Sequence, residues 1–231
     1  MSILNRVAMV LPVIVALGAL IASTAVAQDL VLEAVDSGNY DWEGDHSSGS
    51  TYSPAGDIAA SGFSELRNFF VFDLSGVTGP VLGATLELYN PSDPPDAGDG
   101  YSSPDPFETY SLWEIVTDIP TLTAGGSGLT GIFDDLGGGT GFGTIDMTAA
   151  DNGTVVSIGL NHNAEASIEA AAGGLWAVGG AVMTLGGTPL QVVFGYANGS
   201  MSRRLILDMG GAIFTDDFET GDTNRWSFVE P

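Results

Sequence analysis

The chain contains no cysteine and no lysine; five arginines and two histidines are all of its basic side chains. Each shortage excludes a class of function. Without cysteine there is no disulfide scaffold, no thiolate nucleophile, no Cys-ligated zinc or iron–sulfur centre and no acylated lipoprotein cysteine. Five scattered arginines cannot supply the cationic footprint that a phosphate backbone demands, so nucleic acid is excluded as a partner. The same charge argues against docking on an anionic membrane surface. His46 and His162 stand far apart in sequence, which serves zinc poorly and leaves a Ser-His-Asp triad without a supporting motif. No Gly-x-Ser-x-Gly elbow occurs. His46 reads as an exposed loop residue and His162 as a polar residue at a helix entrance.

What the 231 residues do hold is acid and glycine: 29 Asp plus Glu, a formal charge of −24, and 33 Gly. Residues 1–27 read as an export signal. Arg6 gives a short positive region, Val7–Ile21 is almost wholly apolar, and Ser23-Thr24-Ala25-Val26-Ala27 fits a small-x-small cleavage site after Ala27. The apolar run falls short of the ~20 residues a retained bilayer anchor needs, so no membrane span is expected after cleavage. The mature chain is expected outside the cell, at its surface or in the periplasm. Residues 28–209 are expected to form one domain, followed by a tail over 210–231.

Dense turn signals separate short β-rich runs, which predicts an all-β fold, a jelly-roll-like antiparallel β-sandwich with one short helix. Strands are expected at Leu30–Val35, Asn68–Leu74, Val81–Tyr89, Thr109–Val116, Gly143–Met147, Thr154–Leu160, Leu175–Val178, Gln191–Tyr196 and Arg204–Asp208. Four consecutive apolar residues, Phe69–Phe72, mark a central strand covered on both faces. Asp73 before Ser75-Gly76 suits an Asx turn. The helix is expected over Ala164–Ala172, with Asn163 as N-cap, Ile168 as apolar anchor and Gly173-Gly174 as its stop. Two long connections remain, Asp36–Glu65 and the Asp- and Pro-rich Pro91–Pro106, and loops on a β scaffold are where binding concentrates.

The run Arg67-Asn-Phe-Phe-Val-Phe-Asp-Leu-Ser75, followed by Ala84-Thr-Leu-Glu-Leu-Tyr89, resembles the core of DNRLRE-type domains, which are secreted bacterial β-sandwich modules. Tyr110–Val116 and Arg203–Leu207 extend the likeness, with Arg204 standing where that family has proline. Asn68–Gly79, Gly100–Glu114 and Ala170–Ala181 are also similar to segments of exported proteins that often carry a PEP-CTERM anchor. The resemblance spans about residues 30–209. It implies a secreted sandwich and an association with carbohydrate or cell-surface components. The tail segment Asp216–Ser227, with its Phe-Glu-Thr-Gly-Asp motif, resembles endings of exported bacterial proteins and reads either as a surface strand or as a sorting tag.

Candidate chemistry rests on carboxylates and aromatics. Asp93, Asp96 and Asp99, with Asp105 beyond, form an acidic loop that could hold Ca²⁺, and Asp41, Glu43, Asp45 and Asp57 form a second cluster. Neither follows EF-hand spacing, and a solvated acidic loop is the plain alternative. Tyr40, Trp42 and Tyr101 (and Tyr52) sit in expected loops, where aromatic faces could stack on sugar; Tyr110 and Trp113 read as core. Asn152-Gly-Thr154 and Asn198-Gly-Ser200 are formal glycosylation sequons. Gly126-x-Gly128-x-x-Gly131 matches a dinucleotide fingerprint by letter but lacks its βαβ context. The expected function is a secreted, non-catalytic surface or matrix component. A carbohydrate-binding module, with polysaccharide as partner, is the alternative, and an acid-pair glycan hydrolase the third reading.

Overall fold

The computed structural model describes residues 28–47, 55–57, 65–186 and 190–210. The expected leader, Tyr52 and the tail motif lie outside the described residues. The strands are β1 (Gln28–Asp41), β2 (His46–Ser47), β3 (Ala55–Asp57), β4 (Glu65–Asp73), β5 (Val81–Asn90), β6 (Glu108–Glu114), β7 (Gly141–Met147), β8 (Thr154–Gly159), β9 (Leu175–Val182), β10 (Gln191–Val193) and β11 (Arg203–Met209). Three short helices accompany them: α1 (Ile119–Ala124), α2 (Thr130–Asp135) and α3 (His162–Ala170). Among the described residues no helix is long and apolar enough to cross a membrane.

The strand order is β7-β6-β9-β4-β1-β11-β5-β8, with antiparallel pairing throughout. Strand β1 shifts register between Ala34 and Asp36 and serves both halves: its first part pairs β11, its second β4. One sheet therefore sets the first, last, third and sixth of the eight long strands side by side, and the other sets the second, seventh, fourth and fifth. That interleaving of two Greek keys is the jelly roll. The far edges nearly close, because the Asn161 N–H and side-chain amide donate to Phe142 O (2.7 Å) and Gly141 O (2.8 Å).

Strand β4 explains why both of its faces are apolar. Phe70 and Phe72 point between the sheets, into a core with Leu86, Leu88, Leu112, Phe142, Ile158 and Leu205. Phe69 and Val71 point the other way, under α1 and α2, and join Tyr40, Leu122, Phe133 and Leu136 in a second core. Burying each such side chain stabilises the fold by about 1.5–3 kcal/mol. Arg67 ties the helices to β4: its guanidinium stacks 4.1 Å from the Phe133 ring centroid and donates to Phe133 O (3.1 Å), a cation placed at the negative end of α2. The Asx turn after β4 forms as expected, with Ser75 N–H donating to Asp73 Oδ1 at 2.8 Å. That bond, made to the charged form, lowers the proton affinity of the Asp73 carboxyl.

Four local expectations change. Ser37-Gly38-Asn39 looks like a turn but lies inside β1, opposite Phe70, Phe69 and Asn68; the small Gly38 leaves room for the Phe69 and His46 rings, which a Cβ would meet at 2.9–3.0 Å. Strand β9 runs on through Gly179-Gly180, because a Cβ on Gly179 would meet Leu136 O at 2.6 Å and one on Gly180 would crowd the Tyr110 hydroxyl. The helix begins two residues early: Asn161, not Asn163, is the N-cap of α3, its Oδ1 accepting from Asn163 N and Ala164 N. Ile168 anchors it with no exposed surface. Helices α1 and α2 are additional to the one short helix expected; α1 has the capping chemistry of Asp118, which accepts from Thr121 N, and Pro120 in its first turn.

Candidate functional site

The turn that ends β1 gathers Asp41, Trp42, Glu43 and Asp45. Gly44, at φ +80°, closes it, with its N–H donating to Asp41 O (2.8 Å). Its missing side chain is required, since a Cβ there would meet the Leu129 backbone at 2.2–2.3 Å. The turn is tied to the approach to α2 by three bonds: Leu129 N to Gly44 O (2.9 Å), Gly128 N to Asp45 Oδ1 (3.0 Å) and His46 N to Gly126 O (2.9 Å). Of the glycines that spell the dinucleotide-like fingerprint, Gly126 and Gly128 thus belong to the connection between two short helices and Gly131 lies in the second of them.

Ligand atoms of Asp41, Glu43 and Asp45 lie within 4.8 Å of one another; Asp41 is half-buried and the other two are exposed. Asp41 Oδ1 accepts from Glu43 N (3.0 Å) and Asp45 N (2.9 Å), which holds the turn. Like charges at that spacing repel by about 1 kcal/mol per pair even with water-like screening, and a hard cation would relieve this. Three carboxylates provide part of the six to eight oxygens calcium takes, with water completing the set. Trp42 lies in the same turn with 52 % of its surface exposed, its backbone N–H donating to Glu65 O (3.0 Å). The side chain of Asp57, the fourth acid expected here, lies outside the described residues.

The other acidic loop, with the expected cation ligands Asp93, Asp96, Asp99 and Asp105, is organised differently: among the described residues no three of its carboxylates are grouped as those of the short turn are. Asp96 Oδ2 accepts from the Tyr89 hydroxyl (2.8 Å) and Ser92 N (3.1 Å), Asp99 Oδ1 from Asp93 N (2.9 Å), and Asp105 Oδ2 from Gln191 Nε2 (2.7 Å). Their carboxylates fold the loop instead of converging. The stacking expectation for Tyr40 and Tyr101 is corrected. Tyr40 is fully buried, donating to Leu122 O (2.7 Å), and Tyr101 is 5 % exposed, donating to Asp105 O (2.6 Å). Burial raises both phenol pKa values. Of the expected aromatics among the described residues, only Trp42 is exposed. Phe107 and Tyr196 are also exposed, on separate loops; the strand expected to reach Tyr196 stops at Val193, where Phe194 and Tyr196 turn to positive φ.

His46 is not an exposed loop residue. It packs between Tyr40 (ring centroids 4.9 Å) and Phe69 (6.1 Å), and burial lowers its pKa, with Asp36 partly opposing. His162 is exposed at the first turn of α3, 3.5 Å from Glu165.

Sequence reasoning missed a buried polar layer beneath the Pro91–Phe107 loop. Glu108 has no exposed surface and accepts from Ser103 Oγ (2.6 Å), Gln191 Nε2 (3.1 Å) and the Thr184 hydroxyl. Asn90 Nδ2 donates to Asn152 Oδ1 (2.9 Å), which also accepts from Tyr101 N (2.7 Å). No periodicity signals such residues; only the turn letters around Asn90 and Asn152 hint at them. A separate cleft of about 360 Å³ is lined by Asp29, Glu165 and Asp208, beside Gly83. Asp29 and Asp208 face each other across β1 and β11, so an acid pair is available there to the hydrolase reading.

Compared with models of known protein families the chain matches none, and no curated protein matches it either.

Proposed function

We propose that this protein is an exported, non-catalytic jelly roll that serves as a component of the cell surface or extracellular matrix. The asymmetry of its two sheets carries the reading. The outer face of the β4–β9–β6 sheet lies under α1 and α2. Among the described residues the outer face of the β1–β11–β5–β8 sheet has no such cover: Val31, Val35 and Val155 stand 41–58 % exposed, around a row in which Arg204 pairs with Glu87 at 2.6 Å beside Glu33. An uncovered sheet face mixing apolar and ionic positions suits contact with a neighbouring macromolecule. The leader-like first 27 residues and the resemblance to secreted sandwich modules support export. The test is expression with those residues in a Gram-negative host. Material outside the cytoplasm beginning at Gln28, and loss of cell-surface retention in Val31→Asp/Val155→Asp with an unchanged circular dichroism spectrum, are expected. Full-length cytoplasmic product, or unchanged retention in that variant, overturns the reading.

A second reading, a calcium-assisted carbohydrate-binding module, is favoured by one observation: an exposed indole in the same turn as three clustered carboxylates. A glycan array run with Ca²⁺ and with chelator tests it. Binding that needs both calcium and Trp42 supports it, and blank arrays in both conditions remove it.

A further inference from the structure

The chain carries two Asn-Gly pairs, Asn152-Gly153 and Asn198-Gly199. This dipeptide is the one most open to self-modification, because glycine leaves its backbone nitrogen unshielded. That nitrogen can attack the preceding side-chain amide. The N–Cγ bond forms, the Cγ–Nδ2 bond breaks, and ammonia leaves with the proton lost from the backbone N–H. Water then opens the succinimide ring on either side, giving aspartate or isoaspartate. The net change is amide plus water to carboxylic acid plus ammonia, with no other reactant.

The fold treats the two sites in opposite ways. At Asn152 both reacting groups are held. Oδ1 accepts from Asn90 Nδ2 (2.9 Å) and Tyr101 N (2.7 Å), and Nδ2 donates to Tyr101 O (3.3 Å). The attacking N–H, that of Gly153, is bonded to Asn90 O at 2.8 Å, and Gly153 is fixed at φ +75°. Attack would have to give up the Gly153 N–H bond to the wholly buried Asn90 and the Asn152 Nδ2 bond to Tyr101 O, and those two bonds hold the nucleophile and the leaving group apart.

At Asn198 the arrangement favours reaction. Gly199 and Ser200 are exposed, and the Gly199 N–H makes no backbone hydrogen bond among the described residues. Asn198 Oδ1 accepts from Ser200 N (3.0 Å) and Ser200 Oγ (2.5 Å). Two donors on the amide oxygen draw charge from Cγ and stabilise the oxyanion formed on attack, as an oxyanion hole does.

We propose that Asn198 is a self-modification site, deamidating through a succinimide with the Ser200 hydroxyl as the positioning and polarising donor, while Asn152 is protected by the fold. The product has a local consequence. Isoaspartate adds a backbone methylene between residues 198 and 199, inside the turn closed by Met201 N to Asn198 O (3.0 Å). Arg203 holds this turn to β1, with Nη2 on Gly199 O (3.0 Å) and Nη1 on Ser37 Oγ (2.6 Å). Modification therefore lengthens and recharges the entry to the closing strand β11, slowly and irreversibly, in a protein with no disulfide to restrain it.

The test incubates the purified full chain at pH 8 and 37 °C and maps chymotryptic peptides by mass over several weeks. The expected result is a 1 Da gain confined to the Asn198 peptide, with isoaspartate present, and at least tenfold slower conversion at Asn152. In denaturant the two sites should convert at comparable rates, since the protection is tertiary. Ser200→Ala should slow Asn198 several-fold in the folded chain only. An Asn198 peptide that keeps its mass while the denatured chain converts overturns the proposal, and so does folded Asn152 reacting as fast as Asn198. Equal rates in the wild type and S200A overturn the role given to the hydroxyl.

Discussion

In the loop from Pro91 to Phe107, Asp96, Asp99 and Asp105 each accept a hydrogen bond from their own loop or its immediate neighbours. In the turn from Asp41 to Asp45, three carboxylates crowd within 4.8 Å of one another. Both segments are acidic, and both lie on loops of one scaffold. The difference lies in how the carboxylates are spaced. In the longer loop the Tyr89 hydroxyl, Ser92 N, Asp93 N and Gln191 Nε2 donate to Asp96, Asp99 and Asp105 at separate points of the chain. In the shorter turn Glu43 N, Asp45 N and Gly128 N donate to Oδ1 of Asp41 and of Asp45, and these bonds draw the turn together with its three acids side by side. Acid content alone therefore does not gather carboxylates; the backbone path between them does.

The contrast can be broken at its strongest point first. Asn152→Ala removes partners of Asn90 and of both Tyr101 backbone groups, and unsatisfied buried polar groups cost about 1–3 kcal/mol each. A loss of about 3 kcal/mol is expected in urea unfolding; a loss under 1 kcal/mol would mean that the layer does not hold the longer loop. Calcium comes next. If the turn binds with an affinity of ~10⁻⁴–10⁻³ M, 10 mM Ca²⁺ adds about 1.4–2.7 kcal/mol. Melting should then shift upward, the shift should vanish in Asp41→Asn/Asp45→Asn, and it should survive in Asp93→Asn/Asp99→Asn. Coincident melts with Ca²⁺ and chelator would refute the cation reading of the turn.

Asp96→Ala, which strips an acceptor from Tyr89 and Ser92, is expected to cost about 1 kcal/mol. It should also return the Tyr89 phenol toward its ordinary titration, because its bond to Asp96 is the main cause of the raised pKa; ultraviolet titration follows this. The smallest effect concerns His46, which supports the short turn. Its pKa is lowered from 6.5 by burial, so the unfolded chain binds more protons as the pH falls below that value. The stability from neutral His46 is complete above about pH 6.5 and is lost progressively on acidification toward its folded pKa. Melting should drop between pH 7.5 and 5.5 in the wild type and drop less in His46→Gln. Equal drops would exclude a burden on His46.

Much of the scaffold was legible in the chain. Phe69–Phe72 announced a strand covered on both sides, and β4 faces the inter-sheet core with Phe70 and Phe72 and the helix layer with Phe69 and Val71. The alternation expected from Val81 to Tyr89 is the observed burial of β5 from Ala84 onward. The glycines misled where they serve close approach, not turning, at Gly38 and at Gly179-Gly180. Helices α1 and α2, of six residues each, are too short to show a period. The site was half legible. The Asp41, Glu43 and Asp45 cluster and exposed Trp42 stood out as letters, but Tyr40 and Tyr101 carried the same signal and are buried.

The amino-acid sequence by itself determined the chemistry that cannot occur here, the β-rich pattern and the two Asn-Gly pairs, because composition and period-two burial are local properties. Only the tertiary structure decided which acids stand within 4.8 Å of one another, which expected aromatic is exposed, which sheet face is left uncovered among the described residues and which Asn-Gly pair is locked. Each of those depends on a donor, a ring or a backbone brought from a distant part of the chain, and no local pattern encodes the arrival of a partner.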